Sequence, residues 1–140
     1  MIVSIRDHVA LAGGYATLAE ALADLGIAAV ELAADRDGRV LSLERPGRAT
    51  HDLRGDDGID ALAAEQGRTA VAVTALLLAT DFNHPEIDRE LDWVEAMVRA
   101  AARLGVPALR IDAIMRGERE LPLSERQEIF ARGVRAVLSR

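Results

Sequence analysis

Two charged residues occupy matching positions in two similar stretches of this chain. The first stretch reads Leu-Gly-Ile-Ala-Ala-Val-Glu-Leu over residues 25–32, and the second reads Leu-Gly-Val-Pro-Ala-Leu-Arg-Ile over residues 104–111. Each stretch follows an amphipathic helix pattern and continues as a short apolar strand pattern. Glu31 and Arg110 therefore lie near the carboxyl ends of two predicted strands. A carboxylate can accept a proton and a guanidinium can bind an anionic or polyhydroxy group, so the pair predicts a site at that end of a sheet.

Side-chain alternation along the predicted strands adds further polar residues to the same face. If Val30 and Leu32 face helices, Glu31 faces the other way, and the same rule applies to each strand. The predicted polar set on this face is Ser4, Arg6, Glu31, Thr74, Arg110 and Asp112. Two interpretations stay open. The set is either a network of structural ion pairs, Arg6 with Glu31 and Arg110 with Asp112, or a functional site in which Glu31 acts.

The three histidines are scattered and form no short metal-ligand pair. His8 follows the first predicted strand, within reach of the same end of the sheet. His84 belongs to a predicted loop beside Asp81 and Asn83, where helix capping is the competing interpretation. His51 falls in an irregular region and is assigned no role. His8 and His84 are therefore candidate substrate-binding residues, and no residue is predicted as a metal ligand.

The elements that position these residues follow a repeated strand–helix order. Strands are predicted at residues 2–5, 27–32, 69–78 and 106–111, with helices at 15–25, at 58–66, after Pro85 and from Ser124 onward. Capping boxes are predicted at Thr17 with Glu20 and at Ser124 with Gln127. Pro85 suits the first position of the longest helix, and three helix-to-strand passages are marked by Gly26, Gly67 and Gly105.

The predicted fold is α/β, with four βα units of a TIM-type barrel. Apolar strands separated by helices favour parallel pairing with outer helices. Charges on one face of a doubly wound sheet would be costly, whereas a barrel interior opens onto a polar site. Residues 1–140 are read as one half-barrel domain. Its irregular excursion, at about residues 35–57, contains an alternation at Arg39 to Leu43 that predicts a small hairpin.

Composition narrows the function classes. The chain of 140 residues carries a net charge of −6, with arginine but no lysine as its cation, and it contains no cysteine. Schiff-base lysine chemistry, disulfides and thiolate chemistry are thereby excluded. Arginine is interleaved with acidic residues instead of forming a basic stripe, so nucleic acid is not an expected partner. With no apolar run of about 18 residues and no secretory signal pattern, a cytoplasmic protein without a membrane segment is expected.

Three short segments occur in an order that is typical of one protein family. They are residues 25–32, the loop Thr80-Asp81-Phe82-Asn83, and Ala101-Ala102-Arg103-Leu104-Gly105, which leads into Leu109-Arg110-Ile111. With these segments, nearly the whole chain resembles the xylose isomerase-like barrels, the sugar phosphate isomerase/epimerase superfamily. The resemblance implies a (β/α)8 barrel with its site at the strand carboxyl ends and with Glu31 nearby. It also implies a sugar or sugar phosphate as substrate. A divalent metal (Mn, Mg or Zn) is the implied cofactor if a second half completes the barrel.

Two departures from the family shape the functional expectation. Only four βα units are present, and the family's metal-binding carboxylates and histidine lie mostly on later strands. No histidine stands in strand register at the ends of the third and fourth strands. The expected function is isomerase- or epimerase-like, with proton transfer next to a carbonyl. Its candidate residues are Glu31 and Asp112 for catalysis, and Arg6, Arg110, His84 and His8 for substrate binding.

An alternative stays open beside this hypothesis. Half a barrel has two unpaired strand edges, and such edges invite pairing. The chain would then be a non-catalytic half-barrel that assembles as a homodimer or with a missing second half. A DNA-repair role by analogy with endonuclease IV, a related barrel, is disfavoured by the acidic balance and the missing histidine ligands.

Overall fold

Strands and helices alternate along the part of the chain, residues 2–113 and 119–140, that a computed structural model describes. The elements in order are β1 (Ile5–Arg6), α1 (Asp7–Leu11), α2 (Leu18–Asp24), β2 (Ala29–Ala34), β3 (Arg39–Leu41), β4 (Thr50–Asp52), α3 (Asp56–Thr69), β5 (Ala72–Thr80), α4 (Ile87–Leu104), β6 (Ala108–Ala113) and α5 (Leu123–Leu138). Within these described ranges, no helix is both long and apolar enough to cross a membrane.

Four strands form one parallel sheet in the order β1-β2-β5-β6. The strands therefore follow one another across the sheet in chain order, without the reversal that marks a doubly wound fold. Right-handed crossovers between strands in such an order bring the connecting helices to a single face. The prediction of an α/β fold with parallel strands is confirmed.

The hydrophobic core lies between the helices and one face of this sheet. Val30, Leu32 and Leu76 are fully buried there and pack in one cluster with helical residues such as Leu22 and Met97. The opposite face is called the open face below. It carries Ser4, Arg6, Ala29, Glu31, Ala33, Ala75, Leu77, Ala79, Ala108, Arg110 and Asp112. Three of these, Ala29, Ala75 and Leu77, are buried but stand outside the core cluster.

The segment between β2 and α3 contains an antiparallel hairpin, β3 with β4, as the alternation there predicts. Its pairs run from Arg39 with Asp52 to Leu41 with Thr50. Val40 in β3 is buried in the same core cluster as the sheet residues. The hairpin therefore extends the core instead of forming a loose loop.

The strands β2, β5 and β6 begin later than predicted and also end later. After α2 and α4 the chain passes through Gly26 and Gly105 in the left-handed conformation, with φ of 66° and 67°. The residues that follow each glycine lead the chain back to the sheet before pairing begins at Ala29 and Ala108. The third passage differs from the prediction, because Gly67 lies inside α3 and Ala70 takes the left-handed turn with φ 56°.

The cap predicted at Thr17 is confirmed, although the return bond of Glu20 goes to the residue before the N-cap. Thr17 Oγ1 accepts a hydrogen bond from the Glu20 N–H at 3.1 Å, and Glu20 Oε2 accepts from the Ala16 N–H at 3.0 Å. The predicted box at Ser124 is wrong. α5 already begins at Leu123, after Pro122, with no side-chain cap bond. Proline at that point fixes the extended conformation that a side-chain cap would otherwise select.

The start predicted for the longest helix at Pro85 is also wrong, since α4 begins at Ile87. A turn precedes it. The His84 N–H donates to the Asp81 carbonyl at 2.9 Å, and the Glu86 N–H donates to His84 Nδ1 at 3.0 Å. These bonds hold Pro85 in the turn and delay the helix.

Candidate functional site

Four polar side chains of the open face form a connected group, called here the open-face cluster: Ser4, Glu31, Arg110 and Asp112. Arg110 Nη1 lies 3.9 Å from Glu31 Oε2, and Arg110 Nε lies 3.1 Å from Asp112 Oδ1. Ser4 Oγ donates to Glu31 Oε1 at 3.5 Å. The structure therefore brings together the Glu31, Arg110 and Asp112 that strand alternation places on one face.

Strand register explains how Arg110 reaches Glu31 although β5 lies between their strands. Glu31 is in register with Ala75, and Ala75 is in register with Ala108. Alanine side chains at these two positions leave free space over the middle strand. The long side chain of Arg110, next along the open face of β6, extends across that space to the carboxylate.

The cluster is accessible to solvent. The side chains of Glu31, Asp112 and Arg110 are 26%, 39% and 50% exposed. Glu31 is the third of the six residues of β2, and Arg110 is the third of the six residues of β6. Both therefore lie in the middle of their strands, and the prediction that they lie near the carboxyl ends is wrong, because both strands begin and end later than the apolar pattern indicates. A small molecule approaching the open face of the sheet meets a carboxylate and a guanidinium in contact with each other.

Arg6 lies on the same face but does not form the ion pair predicted with Glu31. The two residues are in register across β1 and β2. Glu31 instead contacts Ser4 and Arg110, and Arg6 Nε is buried with no hydrogen-bond partner among the described residues.

Thr74, also predicted for this face, lies at a shift in the register between β2 and β5: Val30 pairs with Val73 while Glu31 pairs with Ala75. The additional residue in β5 is Thr74, whose hydroxyl donates to the Val30 carbonyl at 3.3 Å.

His8 stands at the carboxyl end of β1, as predicted, but in a different cavity from the open-face cluster. Its Nδ1 lies 3.4 Å from Asp7 Oδ1, and its side chain is 60% exposed. Asp7 is itself buried and accepts the Ala33 N–H at 2.9 Å, which ties the start of α1 to β2. The cavity beside His8 measures about 450 Å³ and is lined by His8, Leu11, Ala12, Tyr15, Leu41, Gly47 and Arg48.

His84 borders a second cavity of about 500 Å³, lined by Arg36, Asp81, His84, Glu86, Arg89, Glu90 and Trp93. The guanidinium of Arg36 lies 4.4 Å from the centroid of the Trp93 ring and also bonds to Glu90. Glu90 Oε2 in turn accepts the Asp81 N–H at 3.0 Å. None of the described residues that line either cavity belongs to the open-face cluster. His8 and His84 are thus not brought to the predicted catalytic carboxylates.

A buried polar network around Glu65 was not assigned a role from the sequence. Glu65 Oε1 accepts the Ser42 hydroxyl at 2.7 Å and lies 2.9 Å from His51 Nε2, while Oε2 accepts the Leu43 N–H at 2.7 Å. Burial raises the pKa of Glu65, but the bonds from Ser42, Leu43 and His51 together outweigh burial and hold the pKa below its ordinary value of 4.5. The network joins the hairpin to α3, which indicates a structural role.

The donor atoms of the open-face cluster do not fit a divalent metal. Both carboxylates, Glu31 and Asp112, face the guanidinium of Arg110, a cation that already occupies the space between them. Within residues 2–113 and 119–140, no three His, Asp or Glu side chains lie close enough together to hold a metal ion.

No protein-family model, curated protein or solved structure matches this chain.

Proposed function

We propose that this chain is a four-unit half of a (β/α)8 barrel of the xylose isomerase-like kind. We further propose that its open-face cluster transfers a proton next to the carbonyl of a sugar or sugar phosphate. The observation that carries the proposal is the contact between Glu31 and Arg110 on the open face of a parallel sheet. The unidirectional strand order supports the half-barrel, because barrels are wound in this way.

Glu31 is the proposed base. Its carboxylate takes a proton from the carbon next to the substrate carbonyl, and the electron pair of that C–H bond forms the C=C bond of an enediolate. The carbonyl oxygen gains the negative charge, which the adjacent guanidinium of Arg110 stabilises. The hydroxyl proton of the carbon that lost its hydrogen then moves to the former carbonyl oxygen, and the electron pair of that O–H bond forms the new C=O bond. Glu31 returns its proton to the former carbonyl carbon, which takes up the electron pair of the C=C bond, so the isomerisation needs no other reactant.

Asp112 and Arg6 have supporting roles in this scheme. Asp112 binds Arg110 through Nε at 3.1 Å and so fixes the plane of the guanidinium, which makes it a positioning residue. Arg6, which is in register with Glu31 on the open face and forms no ion pair among the described residues, is the proposed ligand for a substrate hydroxyl or phosphate. His8 and His84 border separate cavities, so they are proposed only as contacts for a more distant part of a substrate.

The test is incorporation of solvent deuterium. The protein is incubated in D2O with a panel of aldoses, ketoses and their phosphates, and exchange of the hydrogen next to the carbonyl is followed by NMR. We expect exchange with at least one compound, and a loss of at least about 100-fold in Glu31→Gln, because removal of a general base costs that much.

The matched control is Glu44→Gln, which removes a partly exposed carboxylate that is paired with Arg68 and is not part of the open-face cluster. This variant should exchange at the wild-type rate. If the wild-type protein exchanges none of the panel, or if Glu31→Gln exchanges as fast as the wild type, the proposal is wrong.

The competing hypothesis is a non-catalytic half-barrel. The observation in its favour is that Arg110 and Asp112 satisfy each other, as a structural ion pair would. On that hypothesis no compound exchanges, and Glu31→Gln changes stability alone.

A further inference from the structure

We propose that the open face and the edge strands β1 and β6 form a two-fold interface with a second copy of this chain, and that the second copy supplies Arg6 to the open-face cluster of the first. The inference rests on the half-barrel part of the proposed function. It does not depend on the chemistry proposed for Glu31.

The first argument comes from the sheet edges and the open face. An all-parallel sheet is normally covered on both faces, yet Ala33, Ala79 and Arg110 on the open face are exposed. β1 and β6 are the edges of the sheet and each pairs on one side only. A two-fold axis along the strands would pair β6 of each copy with β1 of the other, in parallel. That arrangement removes both edges and closes eight strands.

The second argument comes from register. Within one copy the register runs from Arg6 through Glu31 and Ala75 to Ala108. An eight-stranded parallel barrel of this type has a shear of about 8 residues, so each half contributes about 4. Because the strands tilt in a right-handed sense, that shift brings Arg6 of the second copy beside Asp112 instead of Ala108.

The third argument is charge complementarity at that contact. Arg6 is only partly buried and forms no ion pair with any residue in the described ranges, while the carboxylate of Asp112 is 39% exposed. β2 and β5 separate their strands, so the two residues cannot meet within one copy. Between copies they would pair, and Arg6 would join the cluster of Glu31, Arg110 and Asp112.

Exposed apolar side chains at the seam agree with this assembly. Val3, next to the β1 edge, is 56% exposed, and Leu138 near the end of α5 is 81% exposed. In a βα barrel the helix that follows a strand packs over that strand and the next one. α5 follows β6, so α5 of one copy would cover the outer side of β1 of the other.

Charge reversal tests the inference, with sedimentation velocity as the readout. We expect the wild-type chain to be a dimer, and Arg6→Asp and Asp112→Arg each to weaken dimerisation by at least about tenfold, because each places like charges at both seams. A mixture of the two variants should form a heterodimer as tight as the wild-type dimer, because both seams then hold opposite charges. Asp52→Arg, a reversal on the hairpin, is the control that should leave the dimer unchanged.

Disulfide trapping keeps the test decisive if a reversal prevents folding. The chain contains no cysteine, so the double variant Arg6→Cys/Asp112→Cys has only the two introduced thiols. Neighbouring residues of paired strands lie within disulfide range, so oxidation should give a covalent dimer, and Arg6→Cys alone should not.

A wild-type chain that is monomeric at all concentrations, or a dimer that neither reversal weakens, would overturn the inference. A wild-type dimer that exchanges no deuterium into any sugar would overturn the proposed function and leave this inference standing. A monomer that catalyses exchange would do the reverse.

Discussion

At the scale of single residues, the buried carboxylate of Glu65 couples stability to pH. Its pKa lies below the ordinary value of 4.5, because the bonds from Ser42, Leu43 and His51 outweigh the effect of burial. An acid with a lowered folded-state pKa stabilises the fold above its unfolded pKa, and this contribution is lost as pH falls through the folded pKa.

We therefore predict that Glu65→Gln lowers the free energy of unfolding by about 1–3 kcal/mol at pH 7, since it leaves buried donors unpaired. The difference from the wild type should shrink as the pH falls below about 4.5, the unfolded value. Urea denaturation at several pH values measures both effects. A difference that stays constant down to pH 3 would contradict the assignment.

Gly133 in α5 is a second residue whose role depends on one contact. A Cβ atom at this position would lie 2.2 Å from the Phe82 ring, and Phe82 is itself buried against Phe130, with ring centroids 5.8 Å apart. Alanine ordinarily stabilises a helix relative to glycine by about 1 kcal/mol. Here the overlap with a buried ring should dominate.

We predict that Gly133→Ala destabilises the protein by about 1–3 kcal/mol, the usual cost of overpacking. The matched control is Gly67→Ala, also within a helix but with open space around its Cβ position, which should stabilise by up to about 1 kcal/mol. Thermal denaturation compares the two. A stabilised Gly133→Ala would show that Phe82 does not pack against this helix.

At the scale of elements, the ends of the helices determine where the strands begin. α4 ends at Gly105, where glycine takes a left-handed φ of 67° without a steric cost, and the sequence predicts this end correctly. α3 ends at Ala70 with φ 56°, a conformation that costs a residue with a Cβ about 1–2 kcal/mol. The pattern could not reveal this end, because Gly67 is the residue that ordinarily marks it.

We predict that Ala70→Gly stabilises the protein by up to about 1 kcal/mol, because the relief of backbone strain exceeds the entropy that glycine adds to the unfolded chain. Gly105→Ala should destabilise by about the same amount, since space around that Cβ position is open and only the backbone conformation opposes alanine. Chemical denaturation measures both. If the two substitutions changed the free energy of unfolding in the same direction, the assignment of both helix ends would be contradicted.

At the scale of the whole molecule, hydrophobic periodicity was sufficient to predict four parallel strands with helices between them. The same alternation rule placed Glu31, Arg110 and Asp112 on one face, because it depends only on strand parity. It could not predict that Arg110, not Arg6, contacts Glu31. Which arginine contacts Glu31 depends on the small side chains of β5, on the strand register and on how far an arginine side chain extends across a strand.

Contacts between elements that are distant in sequence could not be predicted either. His51 and Glu65 belong to β4 and α3, and neither periodicity nor spacing relates them. The contact between the Arg36 guanidinium and the Trp93 ring likewise forms only because the loop after β2 packs against α4. Such pairs are defined by packing, whereas the open-face cluster is defined by strand alternation.

The central claim is that the open-face cluster binds a polyhydroxy substrate, and an NMR titration tests it most directly. The Nε–Hε signals of the ¹⁵N-labelled protein are followed as a ketose phosphate is added, with inorganic phosphate at equal ionic strength as the control. We predict that the Arg110 signal shifts and saturates with the sugar phosphate while that of Arg36, which borders another cavity, stays in place. Shifts confined to Arg36, or an identical response to inorganic phosphate, would contradict the claim.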